Sequence, residues 1–143
     1  MIYLINIIYF IIGNTIEKED VEKNLNFIDE DKEISKIVQK VTNELLLLGY
    51  NFKLKGTQYL LDSIIYVYSN QDRDMLENLE RNVYKYISLK NNKTILNIKT
   101  SIINSTNYVY DYQNSEILTQ YFSSNIKITP KLVIATVLRK IHM

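Results

Sequence analysis

Cysteine and tryptophan are absent from this chain of 143 residues, which holds one proline, three glycines and a single histidine, His142, second from the end. Without cysteine there is no disulfide framework, no thiol nucleophile and no Cys/His zinc site. Three scattered glycines cannot form a glycine-rich phosphate cradle. Most enzyme classes lose their machinery at this point, and neither a metal nor another cofactor is expected. Long apolar runs are also scarce. Met1 to Ile12 is apolar except for Asn6, but twelve residues are too few to cross a hydrocarbon core of ~30 Å as a helix. No Lys or Arg precedes the run and no small-residue cleavage site follows it, which disfavours a secretory signal. It reads as a buried strand or helix ahead of a peripheral membrane contact, and a cytoplasmic protein is expected.

What is present suffices for one domain with a core, since 46% of the residues are hydrophobic against 23% charged. Ile (22), Asn (16), Lys (14) and Tyr (12) crowd the sequence while Ala occurs once, at position 135, a skew that fits a coding bias toward A and T. The net charge of +1 hides an asymmetry. Residues 17–33 carry eight acids and three lysines, whereas residues 85–143 carry eight bases and two acids. That pattern suggests an acidic lead-in and a basic working face. Residues 13–33 read as an acidic linker or a loosely docked helix.

From Ile34 the period turns helical, with Ile34, Ile37, Val38, Val41, Leu45 and Leu48 on one stripe and Gly49 where a left-handed residue ends a helix. Thr57 reads as the N-cap of a second helix through Tyr59, Leu60, Ile64 and Val67 to Ser69. Asp72 opens a third stretch with Met75, Leu76, Leu79 and Val83, which runs into Tyr84 and Ile87 and breaks at Asn91 and Asn92. A further helix starts near Thr94 with Ile98, Ile102, Ser105 and Val109 inward, and a short one follows over about 115–122. Thr129 and Pro130 cap the last, through Leu132, Val133, Val137 and Ile141. The chain therefore reads all-α, with residues 1–33 as an apolar start plus acidic linker. A helix-turn-helix is placed at residues 84–110, its second helix the recognition helix.

Leu48-Gly49, followed by Lys55-Gly56-Thr57-Gln58-Tyr59-Leu60 and Ile64, resembles the DNA-binding output domain of the sporulation stage zero protein A family, response regulators that start endospore formation. Val83-Tyr84, Ile87, Asn92, Thr94, Ile98, Ile102, Val109-Tyr110, Leu118 and Phe122 keep the family's order without a gap, and Leu132 to Ile141 looks like its closing helix after a shortened loop. The resemblance covers residues 34–143. It implies a compact six-helix domain whose recognition helix enters the major groove of a short DNA box, usually in tandem copies, controlled by a phosphorylated receiver on the same chain. The residues before Ile34 are too few for a doubly wound receiver, and Asp29 and Asp31 read as solvated linker charges.

The recognition helix departs from the family's pattern. Where the family carries Arg, Glu and Arg on the outer face, with Ser at the start, this sequence has Asn97, Lys99 and Thr100, with Leu96 at the start. Arg suits guanine O6 and N7, Asn suits adenine N6 and N7, and Lys meets guanine or a phosphate. The expected DNA contacts are Lys93, Thr94, Asn97, Lys99, Thr100 and Asn104. Lys85, Lys90, Lys127, Lys131, Arg139 and Lys140 add cations for phosphates. Ile103 replaces a basic residue of the family, so Leu96 and Ile103, seven residues apart, form an apolar stripe that is a candidate partner-binding surface. Lys85 and Ile95 stand where the family places prolines, which implies a looser turn. Tyr108, Tyr110 and Tyr112 fall on different helix faces, so at least one belongs to the core and the set is no base-stacking platform. His142 reads as a frayed terminal residue.

The reading is a stand-alone, transcription-factor-like protein that binds double-stranded DNA with altered or weakened specificity and takes no small-molecule substrate. A homodimer or pairing with a related regulator is compatible with it. The alternative is a degenerate protein-interaction module that modulates a full-length regulator by pairing with it. An enzyme ranks behind both, because Glu44 and Asp62, the acids nearest the motif, have no base, nucleophile or metal partner arranged with them.

Overall fold

The computed structural model describes residues 21–112, 115–122 and 127–142, and among these every regular element is helical. The apolar start, residues 1–12, lies outside the described residues. Six α-helices follow one another: α1 Val21–Leu48, α2 Lys55–Asn70, α3 Lys85–Asn91, α4 Ile95–Tyr112, α5 Ser115–Tyr121 and α6 Pro130–His142. A 3-10 turn, Arg73–Asn78, and a π turn, Glu80–Tyr84, connect α2 to α3. The chain divides into two units, residues 1–39 and 40–143. The described part of the first is the leading portion of α1, which begins at Val21 rather than Ile34. No Gly or Pro interrupts residues 21–48, and Glu, Lys, Leu and Gln in that stretch favour helix.

In the second unit the apolar stripes meet in one core. Val41, Leu45 and Leu48 come from the end of α1, Leu60, Ile64, Ile65 and Val67 from α2, Val83 and Ile87 from the π turn and α3. Ile98, Ile102 and Val109 of α4 join Val133, Ile134, Val137 and Leu138 of α6. Gly49 ends α1 at φ 96°, as its position suggested. Its N–H reaches Leu46 O at 3.0 Å, and Tyr50 N–H reaches Leu45 O at 3.0 Å, so the last carbonyls of the helix are satisfied.

Helix α2 starts at Lys55, and Leu54 is its cap, so Thr57 is not the N-cap but a buried third residue of the helix. The cause is Gly56. A side chain there would overlap the carbonyl of Ser101 and crowd Ser105 Oγ, so the missing Cβ lets the first turn of α2 lie against the α4 backbone. The packing carries Thr57 into the interior, where its Oγ1 has no hydrogen-bond partner among the described residues. Nearby, the Tyr50 hydroxyl and Thr106 Oγ1 share a buried hydrogen bond of 2.9 Å that ties the α1–α2 connection to α4. Burial pushes the Tyr50 phenol well above its ordinary range.

Asp72 caps the stretch before α3, its Oδ1 accepting from Asp74 N–H at 3.0 Å. The helical stretch expected there consists of a 3-10 turn followed by a π turn. The π turn passes directly into α3, because Lys85 N–H donates to Glu80 O. Proline has no N–H to give at that position. With Lys instead, the backbone continues from turn to helix without a break.

Candidate nucleic-acid interface

Helices α3 and α4 form the helix-turn-helix, and the three residues between them set its corner. Asn92 takes the left-handed conformation at φ 52° and donates its N–H to Ser88 O. Lys93 N–H reaches the same carbonyl at 3.1 Å, and Ser88 Oγ donates to Lys93 O. Asparagine is among the few residues besides glycine that accept this conformation at low cost. Thr94 then caps α4: its Oγ1 accepts from Asn97 N–H at 3.0 Å, and its carbonyl accepts from Ile98 N–H at 3.1 Å. Thr94, expected as a DNA contact, is exposed and occupied as the cap.

Below the cap α4 is firmly held. Ile98, Ile102, Ser105, Thr106 and Val109 are buried, which leaves Leu96, Asn97, Thr100 and Asn104 on the open side. The structure thus brings four of the sequence-derived candidates onto one strip, with exposed Lys93 beside it at the corner. Leu96 is 71% exposed.

Lys99 and Ile103, one turn apart, turn to the flank instead. Lys99 Nζ pairs with Glu80 on the π turn. Ile103 is half-buried in a groove that Leu76, Leu79, Tyr84, Thr129, Pro130 and Lys131 also line. The expected stripe of Leu96 and Ile103 is therefore split between the open strip and the groove.

The basic residues also divide. Lys85, Lys93, Lys127 and Lys131 are exposed. Lys90 is not: its Nζ lies 3.8 Å from Asp62 Oδ2, and both side chains are largely covered. Burial raises the Asp62 carboxyl to about 6, against the opposing pull of Lys90. Burial likewise lowers the Lys90 ammonium, against the pull of Asp62. Beside this pair Tyr66 and Tyr86 stack with ring centroids 4.1 Å apart and planes 6° from parallel. Lys140 sits 3.5 Å over the Tyr121 ring and 3.9 Å from Glu44 Oε2, which also accepts from the Tyr121 hydroxyl at 3.0 Å. Arg139 is exposed, with Nη2 3.4 Å from Thr136 Oγ1.

Helix α6 starts as its residues foretell: Thr129 Oγ1 accepts from Leu132 N–H at 3.2 Å, and Pro130 occupies the first helical position. Tyr108 and Tyr110 are exposed, so neither is a core residue, and the side chain of Tyr112 lies outside the described residues. His142 is the last residue of α6 and packs at 5.1 Å, centroid to centroid, against Tyr68. Sequence reasoning missed the Asp62–Lys90 pair and the close approach at Gly56. A glycine inside the first turn of a helix was the available signal for the latter.

Among the described residues no group of His, Cys, Asp or Glu is arranged to hold a metal ion, and no helix is long and apolar enough to cross a membrane. No curated protein matches the chain. The model of one family, sporulation initiation factor Spo0A C terminal, matches residues 41–141. Those are the residues that build the core, the capped helix-turn-helix and the closing helix, and the chain belongs to this family of sporulation-regulator DNA-binding output domains.

Proposed function

We propose that this protein acts through α4 as a DNA-binding regulator whose sequence preference differs from the arginine-based readout that the resemblance implies. The observation that carries this is the open strip of Leu96, Asn97, Thr100 and Asn104 over a buried Ile98, Ile102 and Val109. A capped helix with one face locked and the other free is what insertion into a major groove requires. Base contacts would come from Asn97, Thr100 and Asn104. Lys93 beside the corner, with Lys85 and Lys131, would meet phosphates, which need only cations and N–H donors. Lys99, on the flank, would add a phosphate contact once its pair with Glu80 opens. Fluorescence anisotropy with a labelled family-type box and a scrambled box, at two salt concentrations, tests the reading. Binding that weakens steeply with salt supports DNA as the partner, and the ratio between boxes measures retained specificity. Absence of binding at low salt refutes it.

A second reading is favoured by one observation. Leu89 and Leu96, on either side of the turn, are 74% and 71% exposed, and large apolar side chains at one corner mark a protein contact when they are contiguous. On that reading the domain pairs with a related regulator or a second copy. Leu96→Asp then abolishes association while DNA binding is absent from the start.

A further inference from the structure

We propose that α4 reads A·T base pairs, Asn97 and Asn104 pairing with adenine and Leu96 seating against thymine methyl groups. The inference deepens the DNA-binding reading above and rests on it. Bidentate recognition of guanine needs Arg or Lys. The open strip has neither, and the one lysine of α4, Lys99, is drawn aside to Glu80. A carboxamide offers one acceptor and paired donors, the complement of the adenine N6 donor and N7 acceptor in the major groove.

Neither amide is spent inside the fold, in contrast to several other asparagines. Asn70, Asn82 and Asn91 spend their side-chain N–H groups on the carbonyls of Tyr66, Met75 and Ile87, and Asn78 Oδ1 accepts from Arg81 N–H. Asn97 and Asn104 are exposed, and among the described residues their side chains have no such bond. The cap at Thr94 fixes the first turn by holding the Asn97 backbone N–H, so the side chain leaves from a defined position. Seven residues separate the two amides, a rise of ~10 Å along the helix. With the helix laid along the groove this spans about three base-pair steps. Leu96 adjoins Asn97 at 71% exposure. A thymine methyl is the one apolar group that base edges present in the major groove, and it lies on the pair that an adenine-reading amide selects.

The test is selection of the full chain, at low salt, from a duplex library with a randomised core, followed by anisotropy on the enriched duplex. Two modified versions of that duplex carry 7-deazaadenine for adenine, which removes N7, or deoxyuridine for thymidine, which removes the methyl. The expected core is rich in A·T. The 7-deazaadenine duplex should bind about tenfold more weakly, as loss of a bidentate contact implies, and the deoxyuridine duplex about fourfold, the worth of one buried methyl. Asn97→Ala and Asn104→Ala should erase the first sensitivity and Leu96→Ala the second, each with an unchanged helical circular-dichroism spectrum. A core dominated by guanine, or equal affinity for natural and 7-deazaadenine duplexes, overturns the A·T reading and leaves DNA binding standing. Equal, steeply salt-dependent binding of every duplex does the same. Binding to no duplex at low salt overturns both this inference and the function proposed above.

Discussion

Gly56 and Thr57 show how one missing side chain sets the position of its neighbours. Because the α4 backbone occupies the space of a Cβ at Gly56, Gly56→Ala must push α2 and α4 apart and should cost about 1–3 kcal/mol, the range of overpacked cores. A urea denaturation midpoint checks it, and an unchanged midpoint would mean that the helices do not lie this close. Thr57→Val should act in the other direction, since it removes a buried hydroxyl without a partner at nearly constant shape. A gain of up to about 1 kcal/mol is expected. Asp62 supplies a pH dependence whose sign follows from its environment. Burial raises the carboxyl from an ordinary value near 4 to about 6 while Lys90 opposes the rise, and Tyr86 is coupled to it as well. The folded state thus holds the proton more tightly than the unfolded one. The contribution is complete below pH ~4 and is lost as pH rises through ~6. Two pH units correspond to ~2.7 kcal/mol, so denaturant stability should fall by about 1–3 kcal/mol from this group across that window. Asp62→Asn should flatten the slope.

At the scale of the helix, α4 presents one face to the core and a separate one to solvent, so binding and folding can be changed independently. Asn97→Arg with Thr100→Arg places two guanidinium groups one turn apart on the open strip. Each is able to pair with guanine O6 and N7, and a preference for a guanine-containing box over a scrambled one of at least about tenfold should appear. A folded double variant that ignores DNA at low salt would remove the DNA reading and leave Leu96 and Leu89 as the functional surface. Much of this helix was legible in the sequence, because the spacing of Ile98, Ile102 and Val109 is a local property and Thr94, Asp72, Gly49 and Thr129 act through neighbours within a few residues. What escaped was tertiary. Glu80, nineteen residues before Lys99, reaches it only because the π turn packs beside α4. Ile103 is half-buried for the same reason, in a groove shared with residues 76–80, Tyr84 and residues 129–131. The start of α2 shifted through contact with Ser101, and the helical stretch from Val21 to Glu33 lacks the regular apolar period that marks α1 from Ile34.

At the scale of the whole molecule the charge asymmetry makes the last prediction. Residues 1–30 hold six acids and two lysines, so a fragment starting at Asp31 moves from a formal net charge of +1 to +5 while keeping the residues that match the family, 41–141. Among the described residues the buried side chains of α1 begin at Ile37, inside the fragment, so it should fold by itself, with a helical circular-dichroism spectrum and a cooperative thermal transition. Failure to show either would make the leading residues part of the core. A folded fragment then isolates the electrostatics. If the acidic stretch repels phosphates, the fragment should bind a random duplex more tightly than the full chain at low salt. The advantage should shrink as ionic strength rises and the screening length falls from ~10 Å at 0.1 M to ~3 Å at 1 M. If the two instead bind alike at low salt, the acidic residues do not act on the DNA-binding face, and affinity is set by the exposed cations Lys85, Lys93 and Lys131. In that case Lys93→Ala, at the corner of the helix-turn-helix, should lower affinity for every duplex equally and flatten the salt dependence by about one phosphate contact.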